Sequence, residues 1–416
     1  MNTHATDPLS LAHYYCPIYR PRSVVLSHGK GARLWDVNEK EYVDFASGIA
    51  VCGLGYDDSD IQEALVYQAK RLWHTSNIFY SEPPLRLAQE LVEASGFAQH
   101  VFLCNSGAEA NEAAIKFVRK WAASQNIPPE RRVIVTCHGG FHGRTLAAVT
   151  ATAQAKYHAG FEPLPAGFRY IPFNDSAALN AALAQGDVAG VLLEPLQGEG
   201  GVVPASPGYL AEVRKLCDKY NALLVLDEIQ CGLGRTGQLF AHWKAQISPD
   251  ILTLAKGLAV GFPIGATLLG PRLEKTLHFG DHGTTFGGNP MAAAVARVVL
   301  QKLRSPQVME NVHRQSQTIR KRLEKLSQQT SLFSQVRGEG LMLGAVLHSG
   351  FSGKAAEILD LAAHHGLLLL QAGPDVLRFV PPLTLTDDEC AIGLDRLEYA
   401  CNDYLERAKA NNIQCI

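Results

Sequence analysis

Two ionisable residues stand where the sequence predicts that buried strands end. Asp227 directly follows the apolar run 223–226, and Lys256 directly follows 251–255. A desolvated lysine loses its proton more readily, and its free amine can then act as a nucleophile or form a Schiff base. A buried carboxylate needs a partner, which for Asp227 is either a cationic ring nitrogen of a cofactor or a neighbouring arginine. The alternative for Lys256 is a surface lysine whose amine stays in water.

Residues 105–111 combine a predicted helix start with small side chains. Ser106 and Glu109 have the spacing of a capping box, which predicts that a helix begins here. Gly107 and Ala108 then occupy the first turn, where backbone N–H groups lack partners and attract anions. The segment is therefore either a binding site for a phosphate group or an ordinary capped helix.

The glycine-rich loop 137–145 carries an aromatic ring and a cation. Phe141 offers a flat face, and the guanidinium of Arg144 can bind a carboxylate through two hydrogen bonds. His138 and His142 are four residues apart, which raises the question of zinc. That spacing needs a helix, which the glycines disfavour, and the glutamate of the zinc-protease pattern is missing. We therefore expect no metal site in this loop.

Two further glycine-rich segments carry polar side chains. Glu194 and Glu199 follow the apolar run 191–193, which indicates either a loop that lines a site or a solvated turn. Thr284 and Thr285 offer two hydroxyls on a later loop. Hydroxyls on such a loop are suited to a second phosphate contact.

Residues 232–237 match the G-x-G-x-x-G fingerprint of dinucleotide-binding proteins. The fingerprint should form the turn between a strand and a helix, but residues 227–231 separate it from the preceding apolar run. The downstream acid, Asp250, follows Pro249 and opens a strand rather than closing one. A nicotinamide-dependent dehydrogenase therefore remains only a remote alternative.

The composition excludes some classes of function. The chain has 416 residues, with 38 Lys and Arg against 40 Asp and Glu, and a net charge of −2. A protein that binds nucleic acid or a membrane surface usually carries a basic excess, which is absent here. Nine cysteines without a Cys-x-x-Cys pair, and a polar segment at residues 1–10, predict a soluble protein of a reducing compartment, the cytoplasm.

The elements that would position these residues alternate along the chain. Apolar runs predict strands at 133–135, 191–193, 223–226, 251–254 and 266–269, and amphipathic patterns predict helices at 61–73, 84–94, 209–220 and 306–328. This alternation indicates an α/β fold with a mostly parallel sheet covered on both faces. We expect residues 61–300 to form a large domain, and 301–416 to form a smaller α+β domain that 1–60 joins.

Six motifs in the same order resemble those of class III pyridoxal-phosphate aminotransferases. They are NSGAEAN at 105–111, FHGRT at 141–145, EP with GEGG at 194–201, DEIQ with GRTG at 227–237, AK at 255–256 and TFGGNP at 285–290. The resemblance extends from about residue 17 to residue 385. It implies the aspartate-aminotransferase fold (fold type I), pyridoxal 5′-phosphate as cofactor, and a homodimer with active sites at its interface.

The resemblance also implies a role for each candidate residue. Lys256 would hold the cofactor as a Schiff base, and Asp227 would pair with its pyridine nitrogen. Further cofactor contacts would come from Phe141 stacked on the ring, Gln230 near the phenolic oxygen, Ser106, Gly107 and Ala108 at the phosphate, and Thr285 of the partner subunit.

The substrates that the resemblance implies are N-acetylornithine, 2-oxoglutarate and glutamate. Arg144 would bind the distant carboxylate of the amine donor, and Arg378 would bind the α-carboxylate of glutamate. Glu199 would mask Arg378 while the donor is bound, and Thr284 would lie near the substrate. N-succinylornithine, N-succinyldiaminopimelate, ornithine and 4-aminobutyrate remain alternative donors. One departure from the family is the absence of the usual glycines at 258–260.

Overall fold

A computed structural model describes residues 8–410 of the chain. The α-helices are α1 (Ser47–Ala50), α2 (Ser59–Ala69), α3 (Glu82–Ser95), α4 (Gly107–Ser124), α5 (Leu146–Ala151), α6 (Ser176–Leu183), α7 (Tyr209–Lys219), α8 (Pro290–Leu303), α9 (Pro306–Thr330), α10 (Ala355–His364) and α11 (Asp387–Ala410). The strands are β1 (Leu26–Lys30), β2 (Arg33–Asp36), β3 (Glu41–Asp44), β4 (His100–Cys104), β5 (Val133–Cys137), β6 (Phe168–Ile171), β7 (Val188–Leu193), β8 (Leu196–Gln197), β9 (Val203–Pro204), β10 (Leu223–Asp227), β11 (Ile251–Leu254), β12 (Gly265–Leu269), β13 (Phe333–Glu339), β14 (Met342–Leu347), β15 (Leu367–Leu368), β16 (Leu370–Gln371) and β17 (Val376–Phe379).

A seven-stranded sheet forms the centre of the molecule, in the order β4-β12-β11-β10-β7-β5-β6. The pairs among β11, β10, β7, β5 and β6 are all parallel. Successive residues of these strands are buried in two different apolar clusters, as with Val225 in one and Leu226 in the other. Both faces are therefore covered, which is why the strands read as continuous apolar runs. The predicted α/β fold with a mostly parallel sheet is confirmed.

Strand β12 runs against its neighbours, since it pairs antiparallel with both β11 and β4. Its first residue, Gly265, is therefore at the edge where the parallel strands end. A Cβ on Gly265 would lie 2.5 Å from the carbonyl oxygen of Ser106. A glycine is needed here because the start of α4 packs directly on this strand, and this packing brings α4 to the functional edge of the sheet.

Two smaller sheets flank the central one. Strands β13, β14, β17 and β16 form an antiparallel sheet near the end of the chain. Strands β1, β2 and β3 form another, and β15 pairs parallel with β3. Strands within residues 26–44 thus share a sheet with residues 367–368, which are far away in the sequence.

The predicted helices and strands are present with small shifts at their ends. The largest buried cluster has members from Ala32 to Tyr404, so it joins segments from nearly the whole described chain. No helix within residues 8–410 is both long and apolar enough to cross a membrane. The described cysteines are all free, and six of these eight are buried, while Cys415 lies outside the described residues.

Candidate active site

A cavity of about 380 Å³ opens at the carboxyl ends of β5, β7, β10 and β11. The start of α4 and the segment before β12 close its sides. Its lining comprises Val51, Asn105, Ser106, Gly107, Ala108, Phe141, His142, Gly143, Arg144, Glu194, Asp227, Ile229, Gln230, Ala255, Lys256, Gly261, Phe262, Pro263 and Ile264. Most of the residues that the sequence singles out therefore meet in one place, where parallel sheets bind ligands.

Asp227 is buried at the end of β10 and is held by three donors. Its Oδ2 accepts hydrogen bonds from Asn111 Nδ2 and from His142 Nδ1, both at 2.8 Å, and its Oδ1 accepts one from the amide of Ile229 at 3.0 Å. No arginine lies within ion-pairing distance in the described part of the chain, so the alternative of an arginine partner finds no support and the cofactor nitrogen stays the predicted partner. Asp227 borders the cavity as a fixed carboxylate.

Asn111 and His142 are the functional residues that sequence reasoning missed. Asn111 is fully buried in α4, donates to the carbonyl of His142 at 2.7 Å and accepts from Thr253 Oγ1 at 2.9 Å. The available signal was a polar residue on the apolar face of a predicted helix, three residues before Ala114. His142 was considered only as a zinc ligand. Its Nδ1 instead contacts Asp227, while burial leaves its Nε2 without a partner among the described atoms.

Lys256 follows β11 and begins a 3-10 helix, Lys256–Leu258. Burial lowers the pKa of its amine, although the nearby Glu199 carboxylate opposes that effect. The backbone is strained here, since Lys256 has a φ of 40° and Val260 a φ of 48°. Residues with side chains thus adopt conformations that favour glycine, at a cost of about 1–3 kcal/mol each. The amine of Lys256 therefore loses its proton more readily than the amine of a lysine in water.

The start of α4 presents backbone N–H groups to the cavity. Ser106 Oγ accepts from the amide of Glu109 at 3.1 Å, which confirms the predicted helix start. The return bond of the capping box differs from expectation, because Glu109 Oε2 accepts from Asn105 N at 2.6 Å and not from Ser106 N. A Cβ on Gly107 would lie 2.9 Å from Ile229 Cγ2, so only glycine fits. The first-turn amides remain available to an anion.

Phe141 and Arg144 lie together on the loop after β5. The amide of Phe141 donates to Glu194 Oε2 at 2.9 Å. The guanidinium carbon of Arg144 lies 5.5 Å from the centroid of the Phe141 ring. Within residues 8–410, no carboxylate pairs with Arg144, so its N–H groups are free to bind one.

Glu194 is a buried carboxyl at the end of β7. Burial raises its pKa to about 7, His142 opposes this rise, and Asp227 adds to it. Its hydrogen bonds are the one from Phe141 and a long one from the amide of Gly198 at 3.4 Å. The sequence indicated a site loop here, and the structure places Glu194 against the cavity rather than in solvent.

Arg378, on β17, forms a second cationic centre beside the cavity. Its Nη1 donates to Glu199 Oε1 at 2.5 Å and to Gln230 Oε1 at 3.1 Å. Arg378 is buried, and its Nε has no partner among the described atoms. Burial alone would raise the pKa of Glu199, but Arg378 brings it below its usual range. A Cβ on Gly198 would lie 2.1 Å from Gln230 Oε1, so a side chain there would displace the Gln230 amide from Arg378.

Thr284 and Thr285 lie outside the cavity lining. Thr284 Oγ1 accepts from Asn105 Nδ2 at 3.3 Å, and its carbonyl accepts from Asn77 Nδ2 at 3.1 Å. Thr285 is exposed. The His138 ring lies 6.0 Å from the Tyr170 ring, while His142 contacts Asp227. The described residues contain no cluster of three or more potential metal ligands.

Residues 232–237 form a series of turns and do not begin a long helix. The following element is the short 3-10 helix Ala241–Ala245. Arg235 is buried and donates to the carbonyls of Leu341 and Pro381. The glycine pattern therefore serves packing, and it does not have the geometry of a dinucleotide fingerprint.

The cavity fits pyridoxal phosphate. A fixed buried carboxylate suits a protonated ring nitrogen, the start of α4 suits a phosphate, and a lysine with a lowered pKa suits a Schiff base. These three groups are chemically distinct, and pyridoxal phosphate is a single ligand that uses all of them.

Comparison with known proteins gives the same result. Residues 14–401 match the family described as aminotransferase class III. An acetylornithine aminotransferase of Xanthomonas campestris pv. campestris is 66% identical over 97% of this chain and 99% of that protein. The crystal structure of N-acetylornithine aminotransferase from Stenotrophomonas maltophilia K279a is 56% identical, with a TM-score of 0.86 over 96% of this chain and 100% of that one. The ornithine aminotransferase of Toxoplasma gondii is 35% identical, with a TM-score of 0.92 over 96% of this chain and 95% of that one. The chain belongs to the class III aminotransferases, which are pyridoxal-phosphate enzymes.

Proposed function

We propose that this enzyme transfers the terminal amine of N-acetylornithine to 2-oxoglutarate, giving N-acetylglutamate 5-semialdehyde and glutamate, a reaction of arginine biosynthesis. The observation that carries this proposal is the unequal state of the two arginines. Among residues 8–410, Arg144 has no carboxylate partner, whereas Arg378 is paired with Glu199. Similarity to proteins named for N-acetylornithine supports the choice of donor.

Pyridoxal phosphate, when bound, supplies a ring that withdraws electrons from the bonds of the reacting carbon. We assign Asp227 to the ring nitrogen, because a carboxylate fixed by Asn111 and His142 holds a proton on that nitrogen. Phe141 would stack on the ring, Gln230 would lie near its phenolic oxygen, and Ser106, Gly107 and Ala108 would hold its phosphate.

Lys256 would bind the cofactor covalently and later act as a base. Its lowered pKa leaves a larger fraction of the amine unprotonated at neutral pH. As a base, its Nζ would take the proton from the carbon that carries the terminal amine of the donor. The negative charge of Glu199 raises the pKa of this amine, and the positive charge of Arg378 lowers it.

The two arginines would let one cavity accept two kinds of substrate. The donor presents its reacting amine at one end and its carboxylate at the other, so Arg144 would bind that distant carboxylate. Glutamate also has a carboxylate beside its reacting carbon, and Arg378 would bind this group once Glu199 has moved away. While the donor is bound, the Glu199 pair keeps Arg378 from attracting the wrong carboxylate. Thr284 would lie near the substrate.

The experiment is a comparison of donors. Purified enzyme with pyridoxal phosphate and 2-oxoglutarate is given N-acetylornithine, N-succinylornithine, N-succinyldiaminopimelate, ornithine or 4-aminobutyrate, and glutamate formation is followed. The proposal expects the highest kcat/KM with N-acetylornithine. A higher value with any other donor would replace the assigned substrate and keep the aminotransferase.

We also propose a cytoplasmic homodimer in which Thr285 of the partner subunit completes the phosphate site. The support is an exposed apolar surface, here called the aromatic surface, formed by Trp73, Ile78, Phe79, Tyr80 and Phe286, where hydrogen bonds from Asn77 hold the 284–287 loop beside residues 73–80. Exposed rings in this number favour a contact with another protein surface. Thr285 adjoins Phe286 on that surface, outside the cavity of its own chain. The free cysteines support a reducing compartment.

The division into domains stays a proposal. Residues 61–300 would form the large domain, and 1–60 with 301–416 the small one. The pairing of β15 with β3 supports placing both ends of the chain in one unit.

A further inference from the structure

The Arg144 guanidinium is held by aromatic rings and not by hydrogen bonds. Its central carbon lies 4.1 Å from the centroid of the Tyr157 ring, closer than the 5.5 Å to Phe141. The part of the chain that the structure describes offers this side chain neither a hydrogen bond nor an ion pair. A guanidinium stacked on a ring keeps its N–H edges free, which suits it to bind a carboxylate edge-on.

Tyr157 has a fixed position beside the cavity. It ends the 3-10 helix Ala155–Tyr157 and meets Phe141 edge-to-face, with ring centroids 5.8 Å apart. Residues on either side anchor the segment. Gln154 Nε2 donates to the carbonyl of Gly140 at 3.0 Å, and His158 Nε2 lies 2.8 Å from the carbonyl of Val149.

The same ring contacts a second cation. Lys156 Nζ lies 4.7 Å from the centroid of the Tyr157 ring. Over residues 8–410, no carboxylate lies within 4 Å of Lys156 or of Arg144. Lys156 is exposed and lies outside the cavity lining, but it places a second positive charge on the ring that Arg144 contacts, and such a charge attracts a carboxylate and repels a free ammonium group next to it.

We infer that Tyr157 is a positioning residue that holds Arg144 for the distant carboxylate of the donor, and that Lys156 makes this end of the cavity select donors whose α-amine is acylated. An acyl group removes the positive charge that free ornithine carries beside that carboxylate. The inference rests on the proposed function and specifies the class of donor, an N-acyl amino acid with a terminal amine.

The test is equilibrium binding of N-acetylnorvaline to the holoenzyme, measured by calorimetry. This compound keeps the acylated end of the donor and lacks the reacting amine, so binding is measured without turnover. Tyr157→Ala should raise Kd about threefold to thirtyfold, because the ring that orients the guanidinium is lost. Tyr157→Phe should bind as the wild type does, since the flat face remains. Tyr157→Leu, which keeps apolar bulk without a ring, should behave like the alanine variant.

Kinetics should separate positioning from general damage. In Tyr157→Ala, KM for N-acetylornithine should rise with little change in kcat, and KM for 2-oxoglutarate should rise as well, because its distant carboxylate would bind the same Arg144. The matched control is Tyr220→Ala, which removes a half-buried tyrosine stacked on Lys219 at 4.7 Å, outside the cavity. It should leave the affinity for N-acetylnorvaline unchanged.

Selection for acylated donors is tested with norvaline, which has a free α-amine. The wild type should bind N-acetylnorvaline more tightly than norvaline, and Lys156→Gln should reduce this ratio about threefold. Wild-type affinity in the alanine and leucine variants, or an unchanged ratio in Lys156→Gln, would overturn the inference while leaving the proposed function intact. A wild-type enzyme that neither binds N-acetylnorvaline nor uses N-acetylornithine would overturn both.

Discussion

At the residue scale, the charged side chains in and beside the cavity each have a different kind of partner. Asp227 is held by a histidine and an amide, Arg378 by a carboxylate, and Arg144 by aromatic rings. Within residues 8–410, Arg144 has neither a hydrogen bond nor an ion pair, so its N–H groups can bind a carboxylate. The functions proposed for the two arginines rest on this difference.

Removing Glu199 should change the preference between the two half-reactions. In Glu199→Ala, the buried Arg378 has no carboxylate partner and can attract the carboxylate of the donor, which then binds in the wrong orientation. We expect kcat/KM for N-acetylornithine to fall roughly tenfold to a hundredfold, while that for glutamate does not fall. Stopped-flow measurement of each half-reaction gives both values.

Glu339→Ala is the control for this change, because Glu339 pairs with the exposed Lys244 at 2.6 Å outside the cavity. Both half-reactions should be unaffected there. Equal losses in the two half-reactions of Glu199→Ala would show that Glu199 does not distinguish the substrates.

Glu194 should make the stability of the protein depend on pH. Its folded pKa of about 7 lies above the ordinary value of 4.5, so the folded state binds the proton more tightly than the unfolded chain does. The resulting stabilisation is complete below pH 4.5 and is lost as the pH rises through about 7. Relative to Glu194→Gln, the wild type should lose on the order of 3 kcal/mol of unfolding free energy across this range.

Urea unfolding of the cofactor-free protein at a series of pH values and one protein concentration measures this difference. The hydrogen bond to Asp227 raises the pKa of His142 in spite of burial. Its contribution to the pH dependence of stability therefore has the same sign in the wild type and in Glu194→Gln. Glu324→Gln, at an exposed position of α9, should show no such slope. A pH-independent difference between wild type and Glu194→Gln would show that this carboxyl is not protonated on folding.

At the element scale, the start of α4 depends on a close approach to the loop after β10. Gly107→Ala would place a methyl group 2.9 Å from Ile229 Cγ2, so α4 or the loop must shift. We expect the cofactor to bind at least about tenfold more weakly, since the phosphate contacts depend on this first turn. Fluorescence titration of the cofactor-free protein measures the affinity.

Gly350→Ala is the matched control, because the nearest atom to its Cβ would be 4.0 Å away and no strained backbone is involved. It should bind the cofactor as the wild type does. Unchanged affinity in Gly107→Ala would mean that the phosphate lies elsewhere.

The sequence predicts these elements well because both faces of the sheet are buried. Continuous runs such as 223–226 can be read directly, and so can the capped start of α4. The partners of Asp227 could not be predicted, because Asn111 and His142 come from other elements and meet it only in three dimensions. The charge state of Glu194 depends on the same packing. The residue types at 105–145 therefore indicate what kind of ligand the site binds, whereas the contacts that hold these residues in place can be identified only from the three-dimensional fold.

At the scale of the whole molecule, the proposed homodimer would complete each active site with Thr285 of the partner subunit. Phe79→Glu would place a charge within the surface that the partner is proposed to cover, and such a change disfavours association. We expect the variant to be monomeric and to lose most of its activity, because Thr285 of the partner subunit is removed with the partner. Light scattering during size-exclusion chromatography measures the mass.

Tyr399→Glu is the control, since Tyr399 is equally exposed but lies on α11, away from the aromatic surface. It should keep the wild-type mass and activity. A monomeric wild type with full activity would contradict the shared site.

We expect Lys256 to bind pyridoxal phosphate and the bound cofactor to accept the amine of N-acetylornithine. Both steps can be followed in absorbance spectra of the wild type and of Lys256→Ala, recorded before and after N-acetylornithine and then after 2-oxoglutarate. The wild type should show a visible-violet band that bleaches with the donor and returns with 2-oxoglutarate, and Lys256→Ala should show no such cycle. A wild-type protein without the band after incubation with pyridoxal phosphate, or a Lys256→Ala variant that cycles normally, would contradict this expectation.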